Sequence, residues 1–188
     1  MMFRRWFLGL VALVAVWILR TSLLYGGDIY HGTVVDEETG KPLEGASVTV
    51  IWHRTPLVQL ERSLYFQSAQ ETVTDAEGKF SLEVAPGIDW SPLTTVIKEH
   101  DIIIFKPEYL PFDKGHMPKE FWAYNNLVAA FKKGVAIKLR KLKTPEEMRK
   151  FASLSSFSGL VRVPNKEIPN LIRNVNNLSQ LLGLEPYK

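Results

Sequence analysis

The chain has 188 residues, 46% of them hydrophobic and 23% charged, a balance that provides a real core for one ordinary domain with additions. It has no cysteine, which excludes a disulfide framework, a thiolate zinc site and a cysteine nucleophile. The formal charge is +3, but Arg4, Arg5 and Arg20 flank the first apolar run and the remaining chain is balanced, so no nucleic-acid partner is expected.

Residues 1–27 read as a signal-anchor or transmembrane segment. Trp6 to Leu19 carries no charge and follows Arg4 and Arg5, the pattern of an export signal. The run is short for a full span, although Thr21 to Tyr25 continue it with modest polarity. No Ala-x-Ala cleavage pattern follows, which favours an uncleaved anchor over a removed signal. The arginines ahead of the run keep the N-terminus cytoplasmic and send the rest outward. The expected location is the periplasmic side of the cytoplasmic membrane.

Gly26 and Gly27 end that segment, and residues 28–141 are rich in strand signals. Ile29 to Asp36 predicts a strand, Asp36 to Gly45 a dense turn, and Ala46 to His53 a second strand. In the latter, Val48, Val50 and Trp52 share one face, with Ser47, Thr49 and Ile51 on the other. A second unit runs from Glu71 to Pro86: a turn over Thr74 to Lys79, then alternating Phe80, Leu82 and Val84. Thr95 to Lys106 predicts a further strand, whose solid apolar stretch Ile102 to Phe105 fits burial on both faces. Val135, Ile137 and Leu139 predict the last strand, with Lys138 and Arg140 outward. The local basic run from Lys132 to Lys150 reads as a solvated strand edge and helix flank.

Two insertions interrupt this pattern. Residues 106–133 hold Tyr109, Phe112, Phe121, Trp122, Tyr124 and Phe131. Long insertions often carry function or their own structure. The tentative binding residues are Tyr109, Phe112, Trp122 and Tyr124, as a platform for sugar or peptide. The competing reading is that these rings plug one end of the fold or pack the C-terminal helices, because aromatics are costly to leave in water. Residues 55–69 pose the same choice through Leu57, Leu60, Leu64, Tyr65 and Phe66.

Residues 142–188 predict a helical extension. Thr144-Pro145-Glu146-Glu147 is a capping box with proline at the first helical position, followed by Met148, Phe151, Ala152 and Ser155 on one face. Ile168, Leu171, Ile172, Val175, Leu178 and Leu182 recur at helical spacing until Gly183, with Asn174, Asn176 and Asn177 nearer the polar side. Both helices are expected to pack back on the strands.

Gly32-Thr-Val-Val-Asp-Glu-Glu-Thr-Gly-Lys-Pro-Leu-Glu-Gly-Ala-Ser-Val-Thr-Val50 closely resembles the opening of carboxypeptidase regulatory-like domains. Thr74-Asp75-Ala76-Glu77-Gly78-Lys79-Phe80 resembles their second signature, and Ile104 to Tyr109 a third, with Glu108 where glycine is usual. The resemblance covers residues 29–140. It implies a mainly β fold: a seven-stranded transthyretin-like (prealbumin-like) β-sandwich, here with an N-terminal membrane helix and two C-terminal helices. Such domains occur beside zinc carboxypeptidases, at the front of outer-membrane receptors and in small exported proteins, as structural or binding modules. The signature residues have backbone tasks: Asp36 and Asp75 cap turns, Gly40, Gly45 and Gly78 bend the chain, Pro42 stiffens it and Phe80 fills the core.

Catalytic patterns are missing. His31, His53, His100 and His116 are dispersed; none opens a His-x-x-Glu pair, and no His-Glu-x-x-His helix exists. There is no Gly-x-Ser-x-Gly elbow and no phosphate-cradling loop. Asp36, Glu37 and Glu38 read as a solvated turn rather than a calcium loop. The expectation is a non-catalytic cell-envelope protein for protein interaction or scaffolding, with no metal and no cofactor. An envelope glycan bound through the 106–133 aromatics is the alternative, and a hydrolase with an unrecognised acidic site is a third reading with no positive signal.

Overall fold

The computed structural model describes residues 28–56, 64–85, 95–160 and 162–187. The predicted N-terminal anchor lies outside them, as do residues 57–63 of the 55–69 insertion. Among the described residues no helix is long and apolar enough to cross a membrane.

The fold is mainly β, with two three-stranded sheets and three helices. The strands are β1 (Asp28–Asp36), β2 (Ser47–Pro56), β3 (Tyr65–Val73), β4 (Lys79–Val84), β5 (Thr95–Phe105) and β6 (Val135–Leu139). One sheet has the order β4-β1-β6, the other β3-β2-β5. β1 pairs antiparallel with β4 and parallel with β6. β2 pairs antiparallel with both neighbours, its register shifting between Trp52 and Arg54.

Alternation along the strands builds the core. Tyr30 and Val34 of β1, Phe80, Leu82 and Val84 of β4, and Ile137 and Leu139 of β6 meet Val48 and Val50 of β2 and Ile102 and Ile104 of β5. The helix α1 (Tyr124–Lys133) adds Leu127 and Phe131 to this cluster. It lies on the side where β5 and β6 are the edge strands: its first residue bonds β5, and Gly134 after its last turn leads into β6.

β5 is buried on both faces, as its unbroken apolar run predicts. Ile102 and Ile104 enter the core between the sheets, while Ile103 and Phe105 enter a second cluster. That cluster is supplied by the C-terminal residues, including Leu142, Phe151, Phe157, Leu171, Val175 and Leu178. The short helix α2 (Pro145–Arg149) begins with Thr144 accepting from the Glu147 amide at 3.2 Å, while Glu147 reaches back to the Lys143 amide. The longer helix α3 (Pro169–Leu181) follows the predicted period.

α3 has no capping side chain of its own. Glu71 of β3 supplies one from across the fold, accepting from the amides of Asn170 and Leu171 at 2.7 and 3.1 Å and from Thr49 Oγ1 at 2.7 Å. A carboxylate suits the positive end of a helix. Burial nevertheless pushes the Glu71 carboxyl above its ordinary range, against those three hydrogen bonds. Asn174 departs from the expectation of a polar face. It is 3% exposed and donates to the carbonyls of Gly45 and Phe105, the latter of which also accepts from Ser47 Oγ.

Candidate functional site

The turn residues at one end of the sheets are engaged in local structure. Asp36 Oδ1 accepts from the Glu38 and Thr39 amides and from Thr39 Oγ1, and its Oδ2 accepts from Tyr109 Oη at 3.0 Å. The Thr39 hydrogen bonds, foremost among these contacts, hold the Asp36 carboxyl below its ordinary range. Asp75 accepts from the Glu77 and Lys79 amides. Gly40, Gly45 and Gly78 have φ of 68°, 73° and 72°. At Gly78 a Cβ would also lie 2.5 Å from the Val34 carbonyl oxygen. Pro42 makes an isolated bridge with Val35, and Phe80 is in the core. Glu108 takes φ 70°, with the Tyr109 amide closing onto the Lys106 carbonyl at 3.1 Å. That is the conformation glycine adopts at the third position of a type II turn, following Pro107.

The aromatic insertion divides into two parts. Tyr109 is 9% exposed, bonded to Asp36 and bridged to Lys141. Burial, followed by that hydrogen bond, pushes its phenol up to about 12. Phe112 is in the core, its ring 5.5 Å from that of Phe121 and 6.2 Å from that of Phe131. Trp122 and Tyr124 line a cavity. With His100, Ile102, Met117 and Phe121 they surround a cavity of about 290 Å³ beside β5, and Asp101, Lys114 and Leu127 complete its wall. Trp122 is 65% exposed at its rim, tied by Nε1 to the Met117 carbonyl at 3.3 Å and flanked by the Lys119 ammonium at 5.8 Å.

Local chemistry fixes the loop that forms the outer wall. Asp113 is fully buried and accepts from the Gly115 amide and His116 Nδ1 through one oxygen and from the Ser158 amide through the other. It thereby ties the loop to the C-terminal region. The Met117 amide donates back to the Asp113 carbonyl at 2.8 Å, and a short 3₁₀ turn over Lys119–Phe121 leads to Trp122.

His100 lies behind the cavity, 4% exposed. Its Nε2 is 2.9 Å from Tyr30 Oη and its Nδ1 is 2.8 Å from Tyr124 Oη, while the Trp52 ring lies 4.3 Å away. Burial pulls its pKa down to about 4, against the opposing charges of Asp101 and Asp28. The ring is therefore neutral near pH 7, donating to one phenol and accepting from the other. Burial likewise pushes the Tyr30 phenol well above its usual range. This group orders the cavity wall; it is not poised to exchange protons near neutrality.

Asp101 points to the opposite face of β5, where its Oδ2 is 3.3 Å from His53 Nε2. His53 Nε2 also lies 2.9 Å from the Gly159 carbonyl, so that nitrogen carries the proton. Among the described residues no group of three or more His, Cys, Asp or Glu side chains is placed to hold a metal ion. Four cations of the basic run lie beside acids: Lys132 with Asp28, Arg140 with Glu147, Lys141 with Glu108 and Lys143 with Glu38. Sequence reasoning reached Trp122 and Tyr124 through aromatic density but did not single out His100, Met117 or Lys114, which carry no motif.

Comparison with family models, with curated proteins and with solved structures finds no match to this chain.

Proposed function

We propose that the chain is a non-catalytic interaction module of the cell envelope. In this reading it is a carboxypeptidase regulatory-like, transthyretin-like β-sandwich, held on the outer side of the cytoplasmic membrane by residues 1–27. The Glu108 turn supports the family reading, because glutamate there keeps the left-handed conformation for which glycine is usual. The seventh strand that the family implies is part of this proposal; six strands lie among the described residues.

The observation that carries an interaction role is the cavity rimmed by Trp122. A large indole left mostly in water beside an apolar hollow is the kind of surface that partners cover. Detergent-free fractionation of cells producing the native chain tests the location. The chain is expected with the membranes and released by detergent; recovery in the cytosol sinks the reading. A photocrosslinking residue at position 122 is expected to yield discrete envelope adducts that one at exposed Glu77 does not.

The exposed indole with Tyr124 beside it also supports a second reading, an envelope glycan stacked on the rim. Calorimetry with envelope polysaccharide decides between them. Binding lost in Trp122→Ala selects the glycan, and no binding removes it.

A further inference from the structure

The cavity beside β5 has a buried lining and an exposed one, and their chemistries differ. The buried lining is apolar: Ile102, Met117 and Leu127 belong to the core cluster, and Phe121 packs against it. Its polar side chains are already engaged. His100 holds the phenols of Tyr30 and Tyr124, and Asp101 turns its carboxylate to His53. The exposed lining is Trp122 and Lys114. Lys114 forms no ion pair with a described carboxylate. A second ammonium, that of Lys119, stands 5.8 Å from the Trp122 ring. The acids nearby do not offset these charges at the cavity. Asp113 is fully buried under three donors, and Glu120 lies outside the cavity wall. The first turn of α1 adds to the positive field. Tyr124 and Leu127 of that turn line the cavity, it carries no acidic residue, and Ala123 ahead of it supplies no capping side chain.

These features choose among occupants. A sugar entering the cavity loses water from several hydroxyls and meets side chains that are already engaged, so at most it covers the rim. A cation is drawn to the faces of Trp122, Tyr124 and Phe121, but two ammonium groups and a helix N-terminus repel it. An uncharged apolar molecule gains nothing from Lys114. An anion with an apolar body satisfies both linings at once. The volume of about 290 Å³ sits at the lower end for small-molecule sites, which holds one ring or a short branched chain.

We propose that this cavity binds a small carboxylic acid with an apolar body, its ring or branched chain seated against Ile102, Met117 and Leu127 and its carboxylate held at Lys114. The inference rests on the reading of the chain as an interaction module in using the same cavity, and it names what that cavity takes beneath the Trp122 rim. Apolar contact supplies most of the affinity in such a site, and the charged group sets the orientation and the preference for an acid.

The test is calorimetric titration of the full chain in lipid nanodiscs, with empty nanodiscs as the reference for partition into lipid. Three probes share one ring and differ in charge: 3-phenylpropionate, its amide and 3-phenylpropylamine. Acetate supplies the charge without the ring. The acid is expected to bind with a Kd below about 1 mM, the amide about tenfold more weakly, and the amine and acetate more weakly still. Lys114→Gln changes an exposed side chain, so the fold is retained. It is expected to lower the affinity for the acid about tenfold and to leave that for the amide unchanged. Equal binding of acid and amide by the native chain overturns the inference, as does undiminished acid binding by Lys114→Gln. Preference for the amine overturns it in favour of an aromatic cation site. No binding of the acid at about 1 mM overturns it outright. Envelope adducts from position 122 alongside any of these results leave the interaction reading standing, whereas acid binding as expected without adducts overturns that reading and keeps the acid site.

Discussion

Phe112 and Trp122 belong to one aromatic insertion, yet they meet opposite fates. Phe112 is 4% exposed and Trp122 is 65% exposed. Hydrophobicity does not distinguish them. The backbone does: Phe112 exchanges two main-chain hydrogen bonds with Ile104, which fixes its ring over Phe121 and Phe131. Trp122 follows a 3₁₀ turn, and its indole N–H donates to the Met117 carbonyl five residues back. An aromatic next to a strand edge is drawn into the core by pairing, whereas one on a local turn stays where the turn leaves it. Stability should therefore reside in the first half of the insertion and recognition in the second.

The sharpest way to break this contrast is to truncate the buried ring. Phe112→Ala removes a core phenyl while leaving the bridge to Ile104 intact, and such changes cost ~3–5 kcal/mol. Urea unfolding followed by far-UV circular dichroism measures it. A loss below about 1 kcal/mol would mean that the ring contributes little packing and that the two halves do not differ as stated.

His100 joins the two halves, since it is buried by the core and bonded to Tyr124 at the cavity. Its pKa falls from 6.5 to about 4 on folding because burial disfavours the imidazolium. As pH drops below 6.5 the unfolded chain takes up this proton first, and the folded chain follows only near 4. The contribution is complete above 6.5, is lost as pH falls, and levels off below about 4, amounting to roughly 3 kcal/mol across that window. Unfolding free energies measured from pH 7 downward should show this slope in the native chain and a shallower one in His100→Gln. Parallel curves would assign the acid sensitivity to other groups.

Much of this arrangement was legible before any coordinates, and the reasons divide cleanly. Val48-Thr-Val50 and Phe80-Ser-Leu82-Glu-Val84 alternate because one face of each strand meets the core, so periodicity reveals them. β3 was hidden because Tyr65 to Thr72 are all half-buried, with no dry face to set a period. α1 was hidden too: Ala123 precedes it without a capping side chain, and only Leu127 and Phe131 are buried. Asn174 was misplaced because its acceptors, Gly45 and Phe105, are remote in sequence. The cavity shares that cause. His100 meets Trp122 and Tyr124 only through the path of the chain around β5, and a single histidine on a strand carries no pattern.

A smaller effect of opposite sign belongs to the anchored half. Glu108 holds φ 70°, a conformation that costs a residue with a side chain about 1–2 kcal/mol. Glu108→Gly removes that cost and returns part of it through the greater freedom of the unfolded chain. Its exposed contact with Lys141, at 4.0 Å, adds little to the balance. The expected outcome is a gain of about 0.5–1 kcal/mol by urea unfolding. A loss would show that the Glu108 side chain, and not the turn backbone, secures Tyr109.

The smallest expected change in stability is the most informative for function. Trp122→Ala removes an indole that is mostly in water, one hydrogen bond at 3.3 Å and a stacked lysine. Surface changes of this kind fall within about 0.5 kcal/mol. Denaturation should therefore scarcely register it, while crosslinking at the cavity should. If Trp122→Ala instead destabilises the chain as strongly as Phe112→Ala, the indole is part of the core and the rim has no claim as a docking surface. If it changes neither stability nor binding, the contrast between the two halves holds for packing alone, and recognition belongs elsewhere on the molecule.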